Sequence, residues 1–178
     1  MNMERKRVFR WWWSWNAEKT AAWLEKMAAD GWMLERTNFN MTVFYFLRDH
    51  PRRMSFCADF QSSGITEYKT FILDAGWTLV MEAGGWFLWA REYAWDEEKP
   101  AFFSDIDSLV ARNNRVLLLM GVILISQFAA FQVILRRLME SPSPFMVGLS
   151  IVYFLIFGLL GYALVRTLQE NRRLKKQL

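Results

Sequence analysis

Ala29-Asp30-Gly31-Trp32-Met33-Leu34 recurs 45 residues later as Asp74-Ala75-Gly76-Trp77-Thr78-Leu79. The same shift sets Phe9, Trp11, Trp13 and Trp15 against Met54, Phe56, Ala58 and Phe60, Trp23 against Tyr68, and Met27 against Ile72. With a gap of one residue, Thr42-Val43-Phe44-Tyr45 falls over Trp86-Phe87-Leu88-Trp89. A fixed period of this length marks one supersecondary unit made twice.

Local signals say what the unit is. Val8 to Trp15 has an aromatic residue at every second position, the period of a strand with one buried face. Asn16 is a candidate N-cap, Glu18 falls in the first helical turn, and Ala17 to Asp30 carries Ala21, Leu24 and Ala28 on one stripe. Gly31 stops that helix in a left-handed conformation. Trp32 to Phe39 and Met41 to Arg48 then predict a hairpin around Asn40. In the second unit Arg53 to Phe60 predicts a strand, Gly64 to Ala75 a helix and Gly76 its stop. Trp77 to Ala83 with Trp86 to Glu92 predicts the hairpin, turned at Gly84-Gly85. Two βαββ units, residues 5–48 and 53–92, give an α+β domain over residues 1–93. The expected fold is an antiparallel sheet with two helices on one face, of ferredoxin-like flavour and open strand order.

The chain then changes character. Residues 94–103, with acidic groups and Pro100, read as a linker. Ser104 caps an amphipathic stretch, residues 104–115, with Ile106, Leu109 and Val110 on one side. Val116 to Leu135 is 20 residues without a charge, and Phe145 to Val165 is 21. At 1.5 Å rise per residue each reaches ~30 Å, the thickness of a bilayer's hydrocarbon core. The loop between them, Arg136 to Pro144, holds Pro142 and Pro144, which end a helix there, so the spans form an antiparallel hairpin.

Charge sets the expected direction. Residues 1–115 hold 15 of the 22 Lys/Arg and 16 of the 18 Asp/Glu. The +4 net charge therefore lies beside the apolar segments, as topology charges rather than a nucleic-acid-binding face. Arg112 and Arg115 precede the first span, and Arg166, Arg172, Arg173, Lys175 and Lys176 lie in the basic tail, residues 166–178. The loop offers Arg136 and Arg137, offset by Glu140. The positive-inside bias thus predicts a two-span protein of the cell membrane with both termini cytoplasmic. The apolar run Trp11 to Trp13 is too short for a signal-peptide core, so no cleaved signal is expected.

Phe9-Arg10-Trp11-Trp12-Trp13-Ser14-Trp15-Asn16-Ala17-Glu18, then Trp23-Leu24, Met27-Ala28 and Gly31-Trp32-Met33-Leu34, resembles the bacterial domain-of-unknown-function 2812 family. Gly76-Trp77, Gly85-Trp86-Phe87 and Phe103-Ser104-Asp105 fit the same pattern, and the resemblance covers roughly residues 5–110. The Trp trio at 11–13 is richer than that pattern. The family often carries C-terminal membrane helices, and its members are often encoded beside PadR-type transcriptional regulators. The resemblance implies a regulatory role without assigning an activity.

The residues point away from catalysis. His50 is the lone histidine, before Pro51 in an expected turn, with no evident partner for a nucleophile. Asp96-Glu97-Glu98 reads as a solvated run, and no metal or cofactor set is expected. Cys57, the single cysteine, excludes an internal disulfide and reads as a small buried core residue. The resource is aromatic: ten Trp, fifteen Phe and five Tyr, most of them expected in the core. On a strand through Trp15, Arg10, Trp12 and Ser14 point away from Phe9, Trp11 and Trp13. With Cys57, Trp12's repeat partner, they form the candidate partner or ligand surface. In the first span Ser126, Gln127 and Gln132 are candidate contacts to the second helix or a second protomer. The expectation is a membrane-anchored, non-catalytic binding or sensor module whose cytosolic domain engages a protein partner. The alternatives are a subunit of a membrane assembly acting through its hairpin, and a domain responsive to hydrophobic ligands.

Overall fold

The computed structural model describes residues 4–12, 14–38, 41–103 and 106–176. It divides into two compact units, one ending at Arg112 and the other beginning at Asn113. The expected turn at Asn40, the cap at Ser104 and the ring of Trp13 lie outside the described residues.

In the first unit, β1 (Arg5–Phe9), a 3-10 turn (Ser14–Asn16), α1 (Ala17–Ala29), β2 (Trp32–Thr37) and β3 (Val43–Arg48) form the first repeat. The second is β4 (Met54–Phe60), α2 (Ile65–Asp74), β5 (Thr78–Ala83) and β6 (Trp86–Glu92). Each repeat closes its own antiparallel sheet, ordered β1-β3-β2 and β4-β6-β5. The fold is α+β as the sequence indicates, with two three-stranded sheets in place of one.

The duplication reaches below topology. β2 bulges between Leu34 and Arg36, and β5 between Leu79 and Met81, the same places 45 residues apart. Arg48 Nη1 donates to the Asp30 carbonyl at the end of α1 (2.8 Å), and Arg91 Nη1 to the Ala75 carbonyl at the end of α2 (3.2 Å). A guanidinium from the end of each hairpin thus takes up a terminal helix carbonyl. Gly31 and Gly76 follow those ends at φ 80° and 82°. An added Cβ meets Asp49 O at 2.7 Å at Gly31, but nothing nearer than 3.8 Å at Gly76. Gly31→Ala should therefore cost about 2 kcal/mol and Gly76→Ala about 1, since only the first adds a backbone clash to left-handed strain. Urea unfolding of the two variants in detergent checks the difference.

The first strand departs from the sequence reading. It ends at Phe9, and the alternation Trp11, Trp13, Trp15 does not continue it. Thr37 pairs with Phe44 as Glu82 pairs with Phe87, so Val43 corresponds to Trp86. Phe9, opposite Val43, therefore corresponds to Phe60, opposite Trp86, and not to Met54. Trp12 serves core closure instead, meeting Trp86 edge-on at 5.0 Å. Two-residue alternation was present without a ladder to support it.

Two apolar clusters result. One joins the α1 stripe (Ala17, Leu24, Met27, Ala28) to Phe44 and Phe46 of β3 and to Phe56, Ala58, Leu88 and Ala90 of the second sheet. The other lies on that sheet's opposite face, where Cys57, Phe87 and Trp89 meet Ile72, Trp77, Phe102 and Phe103. β4 is therefore buried from Ser55 to Phe60. Each large aromatic here removes enough apolar surface from water to contribute a few kcal/mol, which a domain this small needs.

The second unit is helical. α3 (Ile106–Glu140) and α4 (Pro144–Lys175) each contain a window of mean hydropathy 2.2, buried to 0% and 6%, and both are long and apolar enough to cross a membrane. They run antiparallel, with Phe131 stacked on Tyr153 at 6.0 Å, Phe157 5.5 Å from Phe131, and Asn171 bonded to Asn113 and Asn114 at 2.8 Å each. The link is shorter than the expected loop over residues 136–144. α3 continues to Glu140, and Pro144 opens α4 where its missing N–H is harmless, with Ser143 Oγ accepting from Met146 N. The basic tail is likewise helical through Lys175.

Candidate functional site

β4 is an edge strand, and what covers its edge defines the site. Arg53 O accepts from Tyr93 N and Gly85 O from Gln61 N, so the odd-numbered residues of β4 bond to β6. Phe56 and Ala58 consequently turn their main-chain groups to the open edge. Among the described residues no strand meets them there. Phe56 N–H donates to Glu25 Oε1 of α1 (3.3 Å), and Ala58 C=O accepts from Arg112 Nη1 of α3 (3.2 Å). Ser55 Oγ donates to Pro100 O (3.1 Å), which ties residues 99–103 over the same strand. Charged side chains thus block an edge that invites pairing.

Between α1, β4 and residues 99–103 lies a cavity of about 340 Å³. Its floor is Phe56, Cys57 and Ala58, its walls are Ala21 and Ala22 on one side and Phe102 and Phe103 on the other, and Glu18, Glu25, Lys99 and Arg112 line it with charge. The charges are mutually engaged. Arg112, 2% exposed, meets Glu18 at 2.7 Å and lies 5.6 Å from the Phe103 ring centre. Lys99 meets Glu25 at 2.8 Å. Burial, and then the neighbouring Asp59 carboxylate, push the Cys57 thiol well above its ordinary range, so it stays protonated. On the same face of β4, Trp89 Nε1 donates to the Tyr68 hydroxyl (2.9 Å) and Gln61 Nε2 to Asp59 Oδ2 (3.1 Å). Burial and Asp59 also raise the Tyr68 pKa, which keeps the phenol neutral in this network.

The residues singled out from sequence do not share one surface. Because β1 stops at Phe9, Arg10 and Trp12 stand beyond the strand. Arg10 bonds Thr42 O through its N–H (2.8 Å) and lays its guanidinium over Trp23 at 4.8 Å. Trp12 is half-buried against Trp86. Ser14 opens the 3-10 turn, and its side chain lies outside the described residues. Cys57 alone reaches the cavity, from the floor. In α3, Gln127 is half-buried, Ser126 donates to Ile123 O of its own helix (2.8 Å), and Gln132 is exposed. The His50 ring sits 2.6 Å from Asp49 at the surface, and the His50 main-chain N–H, donating to that carboxylate (2.8 Å), holds the Asp49 pKa below the usual value. Among the described residues no three metal-ligating side chains converge.

Sequence reading missed Glu18 and Arg112 as partners. The sequence presents Glu18 as a helix-end charge and Arg112 as a topology charge, and the structure pairs them at 2.7 Å. The available signal was spacing, since Arg112 follows Leu109 by three residues and so falls on the apolar side of its helix.

Neither a curated protein nor a solved structure matches the chain. A family model does, over residues 16–125, which takes in the cavity walls of α1, all of β4 and the first part of α3 while leaving β1 outside. That is more than half of the sequence, and the chain belongs to the family described as Protein of unknown function (DUF2812).

Proposed function

We propose that this chain is a membrane-anchored, non-catalytic binding module of the cell membrane. In this reading α3 and α4 span the bilayer, both termini are cytoplasmic, and the α+β domain engages a protein partner, with a PadR-type regulator as one candidate. The observation that carries the binding role is the cavity beside β4. At about 340 Å³ it is near the lower limit for ligand sites and suits one or two apolar side chains of a docked segment. Its apolar floor and walls supply affinity and its rim charges supply orientation. Those charges are spent on each other, Glu18 on Arg112 and Glu25 on Lys99, which favours recognition over acid–base chemistry.

Ala22 is exposed on the cavity wall, so Ala22→Trp fills the space without entering the core. Full-length protein purified in mild detergent should retain a partner that the Ala22→Trp protein loses by tenfold or more. The count is made by quantitative mass spectrometry. A partner held equally by both sinks the cavity as its seat. A hydrophobic compound that shifts tryptophan fluorescence in the wild type but not in Ala22→Trp would make the occupant a small molecule.

One observation favours a second reading, in which the hairpin joins a membrane assembly or a homo-oligomer. Gln132 is exposed on α3 within the apolar run, and an amide in lipid seeks a partner from another helix. Loss of association on Gln132→Leu, with Ala22→Trp without effect, would move the function into the hairpin.

A further inference from the structure

The strands of the first sheet carry five basic side chains, Arg5, Lys6, Arg7, Arg36 and Arg48, against one acidic, Glu35. Those of the second carry Arg91 against Asp59, Glu82 and Glu92. An almost neutral domain therefore has one basic sheet.

Three of the five, Arg5, Arg7 and Arg36, lie on the outward face, while Lys6 and Arg48 turn to the Trp32 ring on the other. β1 places Arg5, Arg7 and Phe9 on one side, and all three are exposed. Register sets Arg7 and Arg36 on either side of Tyr45, and their guanidinium carbons lie 5.9 and 3.9 Å from its ring centre. Arg5 reaches Glu35 at 3.8 Å, while among the described residues Arg7 and Arg36 have no carboxylate in ion-pair range. Phe9, 68% exposed, ends the row, and Trp11, 58% exposed, follows it. Unspent arginines stacked on one tyrosine beside exposed aromatic rings suit an interface that is anionic at its surface and apolar just below it. Phosphate headgroups over acyl chains have that character.

We propose that the outward face of the first sheet binds the anionic headgroup surface of a lipid bilayer. The proposal rests on the anchor reading, because a domain tethered to a membrane meets that surface at high local concentration. Arg7 and Arg36 engage phosphates, Tyr45 holds their planes in place, and Phe9 enters the headgroup layer.

The test uses the full chain with Phe9→Cys in a Cys57→Ala background, labelled at position 9 with an environment-sensitive dye. It is reconstituted in nanodiscs of phosphatidylcholine alone or with about 30% phosphatidylglycerol. Iodide quenching of the dye should fall about threefold in the anionic discs and return at about 0.5 M salt, since the attraction is screened. R7E/R36E should abolish the protection while circular dichroism stays that of the parent. Equal quenching in both discs, or protection indifferent to salt and to R7E/R36E, overturns the proposal. So does protection that appears only when an RNA oligomer is added, which would assign the face to nucleic acid. A chain that enters neither disc fails at the anchor, and takes the tether this proposal needs with it.

Discussion

Trp89→Ala is expected to destabilise the domain by about 3–5 kcal/mol, enough to leave little of it folded if total stability sits near the lower end of the usual range. Trp89 is fully buried at the centre of the cluster between β4, α2 and residues 102–103, within ring-contact distance of Tyr68, Phe87 and Phe102. Truncation removes those contacts and leaves the Tyr68 hydroxyl without its indole donor. Trp89→Phe keeps most of the volume and should cost about 1–2 kcal/mol, mainly the lost hydrogen bond and a small void. Denaturant midpoints followed by circular dichroism separate the two, and the rest of the account needs the large gap between them.

The second large effect is an asymmetry across the cavity. Glu18→Ala should cost about 2–3 kcal/mol, while Arg112→Met should cost about 1. Removing Glu18 takes a carboxylate at 2.7 Å from a cation that is 2% exposed and that also meets the Ala58 carbonyl and the Phe103 ring. Removing Arg112 leaves a carboxylate whose side chain is already 53% exposed, so water takes it up, and methionine refills the apolar space. The double variant should therefore be more stable than Glu18→Ala alone. Additive losses would mean that the two side chains are not coupled as their 2.7 Å contact implies.

Much of this architecture was legible before any coordinates. Gly31-Trp32 and Gly76-Trp77 mark helix ends where only glycine sits comfortably at positive φ, and that demand is local. The hairpin at Gly84-Gly85 and the two charge-free runs are local signals of the same kind. The first strand was misread because Trp11, Trp13 and Trp15 copy a strand's period, while the partner that decides where β1 ends is Val43, far along the chain. The candidate surface failed as a geometric unit for the same reason, since Arg10, Trp12 and Ser14 shared a face only on a strand that does not extend to them. The cavity was harder still. Its walls come from α1, β4, the linker and the start of α3, and only the last two are neighbours in sequence. Only Arg112 carried a hint, as a charge on the apolar side of its own helix.

Reagent access to the two ends of the hairpin tests the central claim, an α+β domain held at the cytoplasmic face by two spans. Ser141→Cys lies in the link between α3 and α4 and Lys175→Cys at the end of α4, both at exposed positions, each in a Cys57→Ala background. In intact cells stripped of any outer barrier, a membrane-impermeant maleimide should label position 141 and reach position 175 only after the membrane is opened. Labelling of both positions without permeabilisation, or release of the protein from membranes by alkaline carbonate, would contradict the account.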